Sequence, residues 1–260
     1  MTARTEPPVL KTKYAFHALA WLLEPEVVLD IGSMDGADSK RFRQLLPAAE
    51  LVAFEGNPDN FRAMLADAEI QRAGIRVLNR LVADTEGPRS FYLQRTHTGA
   101  VPDNRGTSSF SPRTMPGQHT GEVHVEALRA DAFLQREYPR ALRVAAWIDV
   151  EGHASSVLEG LRGAADRLDL VHVEVETREI WPGQTLEPGV TALARELGLK
   201  VIARGAHDVQ RDLVLASERW LRADGVRIGM LLRMARVSGP LLSGVLRTLA
   251  RARSARRRPA

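Results

Sequence analysis

The stretch Val27-Val28-Leu29-Asp30-Ile31-Gly32-Ser33-Met34-Asp35-Gly36 constrains the fold more than any other. Val27 to Leu29 is a short apolar run of the kind that forms a buried strand. An acid and two glycines follow, and then the helical-looking segment Ala37 to Leu46. Strand, glycine-bearing turn and helix, in that order, hold nucleotide-like ligands at the carboxyl end of a parallel sheet. Gly32 and Gly36 permit positive φ and close backbone approach, and the helix start offers unpaired N–H groups. A second strand, Leu51 to Phe54, ends at Glu55, 55 − 30 = 25 residues beyond Asp30. Such folds place the acid that binds ribose hydroxyls about 20 residues on. Gly32-x-x-x-Gly36 is not the G-x-G-x-x-G fingerprint, so the turn suits a nucleoside without a pyrophosphate. A structural strand–helix unit with no ligand fits this stretch as well.

The rest of the chain alternates strands with helices, which predicts a layered α/β sheet. Ala15 to Leu23 reads as a helix covering one edge of the sheet, and Pro58 starts another. Ile75 begins a third strand that continues to Asp84; Glu86-Gly87-Pro88 is a turn and Ser90 to Leu93 an added strand. Thr96 to Gly121 is rich in Gly, Pro, Ser and Thr, a long loop read as a lid near the ligand, with disorder as the alternative. Val123 to Leu128 is a strand, and Asp131 is placed as the cap of a short helix. Val144 to Asp149 and Leu170 to Glu176 are strands, each followed by a helix, Ala154 to Leu161 and Pro188 to Leu197. Val201-Ile202 and Leu213 to Leu215 close the sheet as an antiparallel hairpin, too few residues separating them for a helical crossover.

The second informative stretch is Ile148-Asp149-Val150-Glu151-Gly152-His153. Two carboxylates and an imidazole stand at the end of a strand, where α/β sheets put their ligands. Strand alternation puts Asp149 and Glu151 on one side. Paired acids could raise one pKa to supply a general base, or hold a divalent cation; an acidic helix start with no chemical role is the alternative. His153 titrates near neutral pH and is a candidate base. His172 is expected to face away from Glu174 and Glu176, with Glu174 a candidate acceptor contact. His97, His119 and His124 read as surface residues of the loop.

Four motifs act together: Asp30-Ile31-Gly32-x-x-x-Gly36-x-x-Ser39; Phe54-Glu55-x-x-Pro58-x-Asn60-Phe61; Thr107-Ser108-Ser109; and Ile148-Asp149-Val150-Glu151-Gly152-His153 with Leu158-x-Gly160. The combination resembles the FkbM-type methyltransferases, from about Val27 to Ser217. The resemblance implies a class I, Rossmann-like fold that uses S-adenosylmethionine: a mostly parallel sheet, helices on both faces, and a C-terminal antiparallel hairpin. It implies transfer of a methyl group to a hydroxyl of a sugar, glycolipid or natural product. Asp30, Gly32, Ser33 and Gly36 would line the cofactor, Glu55 would bind its ribose, and Asp84 would sit near the adenine. Asp149, Glu151 and His153 would form the reaction centre, with no resident metal assigned although magnesium remains an alternative. The chain departs from the family pattern in three places: Ser33-Met34 in place of Ala-Asn, Trp147 in place of Lys, and Ala154 in place of Glu. The last two, together with the cationic C-terminal tail, motivate a second reading, a membrane-associated binding or scaffold protein that kept the fold and lost catalysis.

The chain has no cysteine, which excludes disulfides, thiol catalysis and zinc–thiolate sites. The net charge of +4 conceals a local excess, since five arginines crowd residues 251–258. Three segments are expected: an N-terminal helical extension (1–26), the methyltransferase domain (27–217) and a basic amphipathic tail (218–260). Arginines interrupt every apolar run of the tail, so it does not read as a membrane span. It reads as a helix packed on its own domain or on a homodimer mate, or as a cationic segment on an anionic membrane surface. Nucleic acid is not expected, because the basic charge lacks stacking aromatics. The start of the chain does not read as a signal peptide, and the expected location is the cytoplasm, with the inner face of the membrane as an extension of it.

Overall fold

The structure, a computed structural model, describes residues 7–94, 106, 108–112, 119–206 and 208–256. Its centre is a seven-stranded sheet in the order β3 (Arg76–Leu78), β2 (Glu50–Phe54), β1 (Val27–Ile31), β7 (Val144–Ile148), β8 (Leu168–Glu176), β10 (Gln210–Ser217), β9 (Leu199–Arg204). All neighbouring pairs from β3 to β8 are parallel; β10 runs antiparallel to both β8 and β9. The expected C-terminal hairpin is therefore present. β1 and β7 are buried at all five positions each, as continuous apolar strands covered on both faces must be.

Helices cover both faces. α1 (Thr12–Leu23), α2 (Ala37–Leu45), α3 (Pro58–Ala66), α4 (Ala68–Arg72) and α8 (Glu218–Arg256) lie on one side; α5 (Ala130–Glu137), α6 (Ala154–Gly160) and α7 (Glu187–Glu196) lie on the other. α1 does not sit along the sheet's edge as expected. It lies across the face, because Phe16 and Leu19 are fully buried with residues of the central strands. The edge is extended instead by the segment before α1, where Leu10 N–H donates to the Arg204 carbonyl (2.9 Å). On this face Trp147 stacks on His172 (3.6 Å, 5°) and meets Phe16 edge-on. Burial pulls His17 down to about 4 and His172 to about 3, so both imidazoles are neutral.

α8 begins on a buried anchor: Ser217 Oγ donates to Asp169 (2.5 Å) and accepts from Trp220 N–H (3.0 Å), and Arg219 pairs with Asp169 (2.8 Å). It bends at Asp224 and Ser238, the latter just before Pro240. No helix among the described residues is long and apolar enough to cross a membrane.

Two local expectations fail for identifiable reasons. The third strand does not run through to Asp84. Asn79 Nδ2 donates to the carbonyls of Glu55 (2.8 Å) and Gly56 (3.1 Å), turning the chain after β3. β4 (Leu81–Val82) then joins a separate three-stranded sheet in the order β4, β6 (His119–Leu128), β5 (Gly87–Gln94). Asp131 does not cap α5, whose N-cap is Arg129. Its carboxylate instead accepts from Ala132 N–H (2.7 Å) and Gly163 N–H (2.8 Å), tying α5 to the turn after α6.

Candidate functional site

The strand order reverses direction between β1 and β7, and ligands of open α/β sheets bind outside the carboxyl ends of the strands at such a point. The turn after β1 is built on Asp30. Its buried carboxylate accepts from Ser33 Oγ (2.7 Å) and Ser39 Oγ (2.5 Å), fastening the turn to α2. Burial nonetheless raises its pKa to about 6. Gly32 has φ +84°, and a Cβ there would collide with the Asp149 carbonyl. Gly36, at φ +71°, has no room either, because a Cβ would strike Ile70. Between them Met34 adopts φ +55°, a left-handed conformation that Asn accepts more readily than Met. The departure from the family's Ala-Asn pair thus falls on the one position of the turn where Asn is the easier residue.

Glu55, at the end of β2, is buried. One carboxylate oxygen accepts from Met34 N–H (2.6 Å) and the other from Asn57 N–H (2.7 Å). Burial pushes it up to about 7 against these donors.

The turn after β7 supplies the opposite wall. The strand ends at Ile148, so alternation stops governing direction there. Asp149 N–H donates to the Ile31 carbonyl (2.9 Å), locking this turn to the first. The Asp149 side chain reaches solvent through the mouth of the cleft, yet protein crowds its other sides. Burial, with Asp212 and Asp30 adding like charge, raises it to about 7. Glu151 accepts from Gln210 Nε2 (3.1 Å), which also donates to Glu174 (2.8 Å). Glu174 is pushed higher still, to about 9, by burial and by its neighbours Asp149 and Glu151. Glu176, raised to about 7 by burial, accepts from Gly152 N–H (3.1 Å). Carboxylate oxygens of Glu151, Glu174 and Glu176 all lie within 4.8 Å of one another. The carboxylates that Glu151 meets are therefore those of β8, whereas the acids acting on Asp149 are Asp212, Asp30 and Asp38. His153 is held near neutral form, burial lowering it to about 4; its Nε2 lies 3.2 Å from Ser111 Oγ.

A cleft of about 520 Å³, open space at its mouth included, joins these parts. Gly32, Glu55, Asp149, Glu151 and His153 line it. Asp30, Ser33 and Gly36 do not; Asp30 and Ser33 stand behind the wall and shape it. Asp84 is also outside the lining: its carboxylate accepts from Ser156 Oγ (2.9 Å) and pairs with Arg89 (3.0 Å). The far wall comes from Phe91 of β5 and from residues 106 and 108–110. Ser109 pairs with Tyr92 through both backbone groups (2.8 and 3.2 Å), and its Oγ donates to the Glu151 carbonyl (2.7 Å). Phe110 packs on His153 (4.6 Å) and Phe91 (6.2 Å). Most of the Thr96–Gly121 loop, Thr107 and His97 included, lies outside the described residues.

His172 was expected on the opposite side of β8 from Glu174. It shares that side, since residues two apart in a strand face the same way: His172 Nε2 meets Thr12 Oγ1 (3.3 Å), which donates to Asp212 (3.0 Å), the residue opposite Glu174. Trp147 and Ala154 are both buried and neither lines the cleft. Neither departure therefore argues for a catalytically inactive scaffold.

A family model described as Methyltransferase FkbM domain matches residues 30–201, from Asp30 near the end of β1 into β9. The chain belongs to the FkbM methyltransferase family. A relative of this FkbM protein is the 2-O-methyltransferase NoeI of Sinorhizobium fredii, 24% identical over 218 residues, covering 82% of this chain and 88% of NoeI. Among solved structures, the N-terminal domain of EvdMO1 with SAH bound is 14% identical, with a TM-score of 0.42 over 80% of this chain and 82% of that one. The bifunctional kinase-methyltransferase WbdD is 16% identical, with a TM-score of 0.43 over 79% of this chain and 38% of that one. Outside the family's motifs, the sequence carried no pointer to Gln210, Glu176, Asp212 or Phe91. They reach the site through strand register and the second sheet, and only Ser108 and Ser109 stood in a recognisable motif.

Proposed function

We propose that this FkbM protein binds S-adenosylmethionine in the cleft between the β1 and β7 turns and methylates a hydroxyl of a sugar or sugar-bearing natural product. The observation that carries the reading is the convergence of Gly32, Glu55 and Asp149 on one cleft at the sheet's switch point. The residues suit the cofactor: Gly32 offers bare backbone, Glu55 offers a carboxylate of the kind that accepts from ribose hydroxyls, and Leu81, Val82 and Phe91 offer an apolar wall. When bound, the cofactor supplies an electrophilic methyl on a sulfonium. The acidic β7–β8 side favours a cationic ligand over a neutral one.

The chain's own groups then have separable tasks. Asp149, titrating near neutrality, is matched to accept the proton of the acceptor hydroxyl. His153, neutral and in contact with Ser111, orients that hydroxyl and is a weaker base. Glu174 keeps its proton at neutral pH and, with Gln210, holds Glu151 in place. Much of the acceleration comes from alignment. The hydroxyl chemistry of NoeI, by its name a 2-O-methyltransferase, supports an oxygen acceptor. Calorimetry with S-adenosylhomocysteine, followed by methyl transfer to a panel of glycosides, tests the reading; absence of binding by the intact protein overturns it. The Glu151, Glu174 and Glu176 cluster favours one variation, a divalent cation assisting deprotonation. Turnover lost in a chelator and restored by magnesium would establish that variation in place of a direct base.

A further inference from the structure

The outer side of α8 is unexplained by methyl transfer. Its inner side is ordinary: Ile228, Ala235, Leu242 and Leu246 are buried in the core shared with α1 and α2, and Ala250 is buried as well. The outward side is apolar too. Val226, Met230, Met234, Val237, Leu241, Val245 and Leu249 are spaced 4, 4, 3, 4, 4 and 4 residues apart, which keeps them on one helix face. All seven are exposed, Val237 to 87% and Leu241 to 75%. Only four other large apolar side chains are exposed among the described residues, and those are scattered. A concentrated apolar stripe of this kind marks an interaction surface.

The charge around the stripe selects the occupant. From Gly225 to Ala260 the chain has nine arginines and no acidic residue. Arg233, Arg236 and Arg251 are exposed, and among the described residues they meet no acidic group. Arg253, by contrast, is used internally: it pairs with Glu24 and lies over the Trp21 ring (4.5 Å), pinning the far end of α8 to α1. A second copy laid on the same stripe would bring uncompensated arginines against each other. An anionic lipid surface complements both features, taking the apolar side chains between its headgroups and the arginines against its phosphates.

We propose that the outward face of α8 docks the protein on an anionic bilayer surface, lying in the interface plane and not crossing it. The inner face holds the catalytic domain to the helix, so the attachment belongs to the folded enzyme and needs no separate anchor. The bend at Ser238–Pro240 lets the two halves of the helix follow the domain while both keep their apolar side outward.

Co-sedimentation of the full chain with phosphatidylcholine vesicles, with and without phosphatidylserine, tests this. Binding is expected only with phosphatidylserine and is expected to fade as salt rises. Val237→Gln with Leu241→Gln, and separately Arg233→Glu with Arg236→Glu, should each weaken it by about tenfold or more. All four positions are exposed and outside the cleft, so S-adenosylhomocysteine affinity, measured alongside, should be unchanged and reports a folded domain. Equal binding to neutral vesicles, no binding to either, or undiminished binding by both variants overturns the proposal. So does a concentration-dependent dimer in sedimentation that the Val237→Gln/Leu241→Gln protein loses without any vesicle binding.

Discussion

Two pairs of carboxyl groups flank the cleft, and they are kept in opposite ways. Asp30 and Glu55 are deeply buried, and each is surrounded by donors: two serine hydroxyls for one, two backbone N–H groups for the other. Asp149 and Glu174 are crowded by other acids, and the donor set around them is thin, with Gln210 serving Glu174 and Glu151 together. All four are shifted upward, but the causes differ. In the first pair burial acts against hydrogen bonds that hold the backbone of two turns in shape. In the second, burial and like charge act together, and what would relieve them is a cation or the uptake of a proton. The first pair builds the site and the second is the part with something left to do.

That contrast can be broken experimentally. The largest effect should fall on the second pair: Asp149→Asn should lower kcat by about 10²–10⁴-fold while leaving S-adenosylhomocysteine affinity within a few-fold. A variant that turns over normally would remove Asp149 from the mechanism. The rate of the unaltered enzyme should also rise with pH through about 7, as Asp149 loses its proton, and the variant should lose that inflection. Glu55→Ala should act on binding instead, weakening S-adenosylhomocysteine by about ten- to a hundredfold in calorimetry, the range for lost hydrogen bonds to a charged group. Undiminished affinity would mean that Glu55 only shapes the turn.

Smaller effects are expected from the scaffold. Ser39→Ala leaves buried Asp30 with one hydroxyl donor and should cost about 1–3 kcal/mol in denaturant unfolding, with kcat little changed in the folded fraction. The mildest test is Glu174→Gln. The folded protein keeps the Glu174 proton to about 9, whereas an ordinary glutamate releases it near 4.5. Stability from this group is therefore complete below 4.5 and drains away as pH rises toward 9. Glu174→Gln should flatten the decline of melting temperature across that window. A slope identical to that of the unaltered protein would show that Glu174 is not the group responsible.

The same contrast explains what was legible in the sequence. In the first pair Asp30 reaches Ser33 and Ser39 along one turn and helix, and the apolar strand, glycine turn and helix announce that geometry locally; Glu55 meets Asn57 two residues on, and the second strand's end brings it back to Met34, 21 residues earlier. The alternation of strands with helices and the closing hairpin followed from spacing as well. The second pair depends on register. Gln210 faces Glu176 only because β10 runs antiparallel to β8, and no short-range pattern fixes that pairing. Asn79, a single side chain reaching two carbonyls, diverts the chain from the main sheet into the small one, and nothing in the run from Ile75 to Asp84 advertises it. His172 was misplaced for a different reason, since the period of a strand was enough to put it beside Glu174.

Gly32 sets how stiffly the two turns are joined. Because it leaves no space for even a methyl group against the Asp149 carbonyl, the two turns form one jaw with no play in it. Anything that nudges the Glu55 side is felt at Asp149, and the reverse. A designer seeking a different acceptor should therefore leave that jaw alone. The opposing jaw, Phe91 with Ser108 and Phe110, is carried by the second sheet and can be recut without disturbing the first.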